Sequence, residues 1–156
     1  MPSATTKHTA KDVMTPDPVC IRPSATIREL ARLFEVNEIS GAPVINQAGM
    51  LIGVVSKTDL IRKCAEGTVD IPPAYLFEAL AEQGENDEEE NEYIPEPIVC
   101  VEDFMTEHPL TVTPETPLRE IARAMVDGRF HRVVVVNEES APIGVITTLD
   151  LLATFS

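Results

Sequence analysis

Two short stretches of this 156-residue chain place a hydroxyl and a carboxylate at a spacing that can grip a small molecule. One is Gly53-Val54-Val55-Ser56-Lys57-Thr58-Asp59; the other is Gly144-Val145-Ile146-Thr147-Thr148-Leu149-Asp150. Each is a glycine and a β-branched pair, then Ser or Thr, then an aspartate three positions on. The pattern predicts a strand that ends where a helix begins, with Ser56 or Thr147 as the cap. A helix start offers unpaired N–H groups and partial positive charge, which suit a phosphate. The cap hydroxyl adds a donor, and Thr148 gives the second stretch a further one. Asp59 or Asp150, one turn in, can accept from both hydroxyls of a ribose 2′,3′-diol, because an ionised carboxylate only accepts. The same spacing is also an ordinary helix cap that needs no ligand.

The two stretches lie 91 residues apart, and that offset extends well beyond them. Lys11–Cys64 slides onto Glu102–Phe155 without a gap, matching Met14/Met105, Thr15/Thr106, Pro18/Pro109, Pro23/Pro114, Ala31/Ala122 and Asn46/Asn137. The chain is an internal duplication. A repeat of about 55 residues is marginal alone, so the two copies are expected to pack into one unit.

Each copy predicts strand–helix–strand–strand–helix, an α+β pattern. In the first, Val19–Ile21 is a strand candidate. Thr26 and Glu29 form a capping box for a helix whose apolar face is Ile27, Leu30, Ala31 and Phe34. A strand over Ser40–Ile45, a turn over Asn46–Gly49, a strand over Met50–Val55 and a helix running from Ser56 to about Cys64 follow. The second copy repeats this with Leu118, Ile121, Ala122 and Met125 as the helix face and Pro117 in its first turn. His131–Val136 and Ile143–Ile146 are its strands, and its last helix starts at Thr147. The apolar runs are too unbroken for a one-sided sheet and predict strands covered on both faces. Residues 1–10 read as a flexible arm, 11–64 and 102–156 as the repeats, and 65–101 as a connection. Within the connection, Leu76, Phe77, Leu80 and Ala81 predict a short amphipathic helix near 74–83, ahead of an acidic run over Glu85–Glu92.

The formal net charge of −14 is concentrated in that connection. Ala65–Val101 holds eleven acidic residues and no Lys or Arg, which leaves the repeats near −3. The basic footprint expected of a nucleic-acid binder is missing. No apolar run reaches the ~20 residues of a membrane span, and the N-terminus lacks the apolar segment of a secretory signal. Cys20, Cys64 and Cys100 have no paired spacing and read as free thiols, so the expected compartment is the cytoplasm. Nothing here suggests an enzyme. There is no nucleophile elbow, no phosphate-cradling glycine loop with a lysine and no histidine pair at metal-ligand spacing. No catalytic cofactor or metal is expected.

Met14-Thr15-x-x-Pro18, the Ile27–Phe34 helix, Ala42-Pro43-Val44-Ile45 and Gly53-Val54-Val55-Ser56-x-x-Asp59 together resemble a cystathionine-β-synthase (CBS) domain, and Asp103–Phe155 resembles a second. The resemblance implies a CBS pair, or Bateman module: two tandem repeats related by a pseudo-two-fold axis, with two clefts that typically hold adenosine compounds (AMP, ADP, ATP or S-adenosylmethionine). It further implies that the aspartate grips ribose and the Ser or Thr lies toward phosphate. Ser40, Gly41, Ala42 and Pro43 would then face the base at one site, largely through backbone, and His131, Arg132 and Val133 at the other. Thr15 joins this set from its motif. Arg129, His131 and Arg132 are candidate cations for phosphates, although for His131 a structural or surface role fits as well. The implied assembly is a homodimer. The long acidic connection departs from the family pattern.

The reading is a stand-alone regulatory protein that binds an adenine nucleotide at one or both sites, the second slightly favoured, and signals through conformation or dimer packing. The alternatives are a ligand-free dimerisation or protein-interaction scaffold and an S-adenosylmethionine sensor. A protein partner is possible; nucleic acid and membrane are not expected as partners.

Overall fold

The computed structural model describes residues 8–68 and 99–155. The amphipathic helix expected near 74–83 and the acidic run lie outside the described residues. The elements are α1 (Ala10–Val13), β1 (Thr15–Pro16), α2 (Ile27–Asn37), β2 (Gly41–Ile45), β3 (Leu51–Ser56) and α3 (Lys57–Lys63). After α3 comes one π-helical turn, Cys64–Thr68, and before the second half a 3-10 turn, Val101–Asp103. Then follow β4 (Thr106–Glu107), β5 (Thr111–Val112), α4 (Leu118–Gly128), β6 (Arg132–Val136), β7 (Pro142–Thr147) and α5 (Thr148–Ala153).

The duplication is visible in the backbone itself. Among the described residues every left-handed residue falls in a matched pair: Asp17 and His108 have φ of 54° and 58°, Glu38 and Arg129 have 55° and 59°, and Gly49 and Ser140 have 83° and 66°. Each pair is one position of the repeat. Glu38 and Arg129 close α2 and α4 as left-handed caps. Asn46 and Asn137 build the same turn, each side-chain oxygen accepting two backbone N–H groups, from Ala48 and Met50 in one and Glu139 and Ala141 in the other.

The described residues divide into two compact units that do not coincide with the two repeats. The Asp59 unit comprises 19–44, 53–68 and 99–107; the Asp150 unit comprises 8–18, 45–52 and 108–155. In the Asp150 unit the sheet order is β1-β7-β6-β5, with β6 and β5 parallel and the other pairs antiparallel. In the Asp59 unit the order is β2-β3-β4, extended by a parallel bridge from Ile21 to Val44. Each sheet therefore takes an edge strand from the segment that leads into the other repeat, a strap running from Ala10 to Pro16 in the first and from Val101 to Glu107 in the second. Thr15 pairs with Val145, and Thr106 pairs with Val54.

The straps are anchored alike. Ala10 N–H donates to Thr116 O (2.9 Å) and Lys11 N–H to Pro114 O (3.0 Å). Val101 N–H donates to Ala25 O (2.8 Å) and Glu102 N–H to Pro23 O (2.9 Å). Ala10 and Val101, the equivalent positions, are both fully buried. Of the arm expected over residues 1–10, Thr9 and Ala10 are instead part of the fold. Thr9 caps α1 with Asp12, whose carboxyl the Thr9 N–H holds below its usual value of 3.8, and Ala10 belongs to the core. The apolar pattern alone did not separate a lone alanine from the arm.

The Asp150 core is Ala10, Ile121, Met125, Val133, Val135 and Ile146, with Met14, Val112 and Leu118 packed on it. The Asp59 unit buries Ile27, Leu30, Ala31 and Phe34, the predicted helix face, together with Val44, Val55, Leu60 and Val101. β2 and β6 each bury three consecutive residues, as strands covered on both faces must. The long strands shift by one residue at one or both ends from the sequence reading, and two differences are larger. Pro117 is the cap residue of α4, not part of its first turn, and Val19–Ile21 contributes a single bridge at Ile21.

Candidate functional site

Both hydroxyl–carboxylate junctions fold as read, a strand running directly into a helix. Ser56 ends β3 and caps α3; Thr147 ends β7 and caps α5. The extended backbone at the cap turns the hydroxyl back over the first helical turn, where it meets the N–H of the aspartate. Ser56 Oγ accepts from Asp59 N–H at 3.2 Å and Thr147 Oγ1 from Asp150 N–H at 3.3 Å. The carboxylates reciprocate: Ser56 N–H donates to Asp59 Oδ2 at 2.9 Å and Thr147 N–H to Asp150 Oδ2 at 2.8 Å. Each junction is a complete capping box.

That geometry changes what the junction offers a ligand. The cap N–H goes to Oδ2 and the third helical N–H goes to the hydroxyl. The first goes to a neighbouring carbonyl, Lys57 N–H to Ser40 O (2.9 Å) and Thr148 N–H to His131 O (3.1 Å). Of the N–H groups at each helix start, only that of Thr58 or Leu149 is left over among these. The helix start is therefore a poorer phosphate cradle than the sequence alone predicts. The carboxylate is the better handle, because the cap uses one of its two oxygens.

The same carbonyl bonds join the strand entrances to the helices. Ser40 meets the start of α3, and His131 meets the start of α5. Arg132 lies directly across the ladder from Thr147, and Val133 from Ile146. The side chains of Ala42, Pro43 and Val133 are buried in the cores, so these residues can present only backbone to a base. Pro43 has no N–H, and its carbonyl accepts from Ile21 N–H at 2.9 Å. Arg129 is exposed at the end of α4, two positions before His131.

The Asp59 unit thus gathers Ser40, Gly41, Ala42, Pro43, Ser56 and Asp59. The Asp150 unit gathers Arg129, His131, Arg132, Val133, Thr147, Thr148 and Asp150, and also Thr15. Thr15 comes from the first repeat but stands on the strand beside β7, exposed and cross-strand from Val145. By the same exchange, Thr106 stands beside β3 opposite Val54. Thr106 was not among the residues read as a site. The signal was present, since it matches Thr15 in the repeat.

The two junctions are not equally saturated. Ser56 Oγ also donates to Asp59 Oδ2 at 3.0 Å, and Arg62 Nη1 lies 3.3 Å from Asp59 Oδ1. At the second junction the repeat places Ala153 where the first has Arg62. Among the described residues Thr147 Oγ1 only accepts, so its proton is uncommitted.

An apolar groove lies apart from both junctions, between α4 and α5, lined by Leu118, Val126, Leu151 and Phe155 with Arg119 and Arg123. Burial pushes the thiols of Cys20, Cys64 and Cys100 above their usual range, and none of the three forms a disulfide among the described residues. No helix among the described residues is long and apolar enough to cross a membrane.

Comparison with known proteins agrees with this architecture. The uncharacterized protein MJ1426 of Methanocaldococcus jannaschii is 30% identical over 148 residues, covering 91% of this chain and 88% of that protein. The chloroplastic CBS domain-containing protein CBSX2 of Arabidopsis thaliana is 28% identical over 150 residues, covering 94% of this chain but 63% of CBSX2. A crystal structure of CBSX2 in complex with AMP superposes with a TM-score of 0.68 at 25% identity, covering 95% of this chain and 96% of that one. The CBS domain pair of protein MJ0100, solved with 5′-methylthioadenosine and S-adenosyl-L-methionine, reaches a TM-score of 0.71 over 95% of each chain; at 19% identity it shows the shared fold alone. The CBS domain profile matches residues 10–66 and again residues 101–156, so the chain belongs to the CBS domain family as a tandem pair.

Proposed function

We propose that this chain is a regulatory CBS pair, not an enzyme, that binds an adenosine nucleotide of the AMP, ADP or ATP class through Asp59 and Asp150. The observation that carries the reading is the division of labour within each carboxylate. Oδ2 is spent on the cap in both; Oδ1 of Asp150 remains to receive a ribose diol, while Oδ1 of Asp59 is shared with Arg62. The AMP complex of CBSX2 supports an adenosine ligand for a relative of this fold. Thr15 and Thr147 are hydroxyl donors for the second site, with Arg129, His131 and Arg132 as its cations; Ser40, Ser56 and Thr106 belong to the first. Binding shifts an equilibrium of conformation or dimer packing that a partner senses, which requires unequal affinity for the two states. The pairing is 11–64 with 102–156 through the connection 65–101, and three cysteines outside any disulfide fit a cytoplasmic setting.

The test is a thermal-shift panel of AMP, ADP, ATP, S-adenosylmethionine and GTP on the parent, Asp59→Ala and Asp150→Ala. A ligand at about 100 times its dissociation constant adds roughly 2.7 kcal/mol to stability. The expected result is a rise in Tm with an adenine compound that one or both variants lose. A flat panel on the parent sinks the reading.

A second reading, a homodimerising scaffold, has its own support. Val126 on α4, Leu149 and Leu152 on α5 and Phe155 in the turn after it are 62–78% exposed, while their first-repeat counterparts are Glu35, Thr58, Ile61 and Cys64. Large exposed apolar side chains gathered on one pair of helices mark an interaction face. Dimerisation through this face predicts that Leu152→Ser with Phe155→Ser gives a monomer in sedimentation. An unchanged dimer, or a monomeric parent, contradicts it.

A further inference from the structure

The two aspartates differ in what holds them, and that difference bears on how the sites fill. Resting on the adenosine-binding reading, the geometry points to Arg62 as an internal competitor at the first site: its guanidinium occupies the carboxylate oxygen of Asp59 that a ribose diol requires. Asp59 Oδ2 is taken by the N–H and hydroxyl of Ser56, at 2.9 and 3.0 Å. Its other oxygen, Oδ1, lies 3.3 Å from Arg62 Nη1. The Asp59 side chain is 16% exposed and that of Arg62 is 67% exposed, so an exposed arginine meets a largely covered carboxylate. With two donors on Oδ2 and one on Oδ1, a single acceptor site is left, so both hydroxyls of a diol can bind only by displacing Arg62.

Among the described residues the second site shows no such competitor on Asp150. Its equivalent position is Ala153, and Thr147 Oγ1 keeps a proton to donate where Ser56 Oγ has spent its own. A duplicated site with a built-in competitor in one copy responds in two steps. The second site fills at low ligand, and the first fills only when ligand is abundant enough to displace the arginine. The competitor's strength sets the gap between the steps. An exposed ion pair one helical turn apart is weak, which corresponds to an affinity difference of roughly two- to fivefold. Salt screens the pair, so an uncharged diol ligand binds the first site more tightly as ionic strength rises. This salt dependence is opposite to that of a phosphate contact.

The experiment is calorimetric titration of the full chain with adenosine, which has the diol and no phosphate. The first site is isolated with Asp150→Asn, which keeps a side-chain oxygen for the Thr147 N–H. It is compared with and without Arg62→Gln at low and high salt. Adenosine is expected to bind roughly two- to fivefold more tightly once Arg62 is replaced, with the gain from added salt abolished. Arg62→Met, checked by its thermal melt, repeats the comparison with a side chain that cannot donate. Adenosine affinity that is unchanged or weaker in both variants overturns the competitor. A loss confined to AMP reassigns Arg62 to the phosphate and overturns it equally. If the parent binds adenosine but the Asp150→Asn chain does not, with any residue at position 62, this inference fails while the binding reading stands. If the parent binds neither adenosine nor AMP, both fail.

Discussion

At the scale of single residues, the straps are seated by a methionine over a missing side chain. A Cβ on Gly144 would lie 2.3 Å from Met14 Sδ, and one on Gly53 would lie 2.8 Å from Met105 Sδ. The repeat therefore keeps glycine at the start of each Gly-x-x-Ser/Thr-x-x-Asp stretch for packing, not for backbone freedom. The two glycines differ in what else they meet. Gly53 also faces Thr106 O at 2.9 Å, a backbone atom, whereas the near atoms at Gly144 all belong to the Met14 side chain. Gly144→Ala and Gly53→Ala should each cost about 1–3 kcal/mol through overpacking. Met14→Ala should relieve the first by opening the space, so the pair is non-additive. Met105→Ala should leave most of the second cost in place. Denaturant melts of the four single and two double variants check this. Equal rescue at both sites would contradict the account.

At the scale of elements, the exchange of straps follows from sheet order. In the Asp150 unit the strap strand β1 stands at the opposite edge from β5, three strand spacings away, or about 14 Å. The second repeat's own strap ends at Glu107, and β5 begins at Thr111. The four residue steps between them reach about 14 Å at full extension. That leaves nothing for passing around the sheet, so the strap cannot edge its own repeat. An isolated 102–156 chain is accordingly expected to lack folded-state dispersion in NMR as a monomer. A well-dispersed monomer spectrum would contradict the exchange. Much of this architecture was legible in the sequence. The capping boxes at Thr26, Ser56 and Thr147, the buried helix face Ile27–Phe34 and the Asn46 turn depend on neighbours a few residues apart, which a one-dimensional pattern records. The exchange was not legible, because Met14-Thr15 and Met105-Thr106 are the same local signal and fit either sheet. The site was legible in part for the same reason: Asp59 and Asp150 announce themselves locally, whereas the place of Thr106 beside β3 depends on the exchange.

At the scale of the whole molecule, the chain is a duplication whose two copies have diverged in complementary ways. The first carries the arginine-closed junction. The second carries the open junction and, on α4 and α5, the more exposed apolar helices. A regulatory role needs a ligand that one state holds better than another, and the account places that ligand's ribose on the aspartates. The most direct measurement is calorimetric titration of the parent with AMP and with 2′-deoxy-AMP. Removing one hydroxyl of the diol forfeits a hydrogen bond to a charged group, worth roughly 1.5–3 kcal/mol. The account predicts that 2′-deoxy-AMP binds at least about tenfold more weakly than AMP. Equal affinity for the two would contradict the aspartate–diol contact on which the functional reading rests.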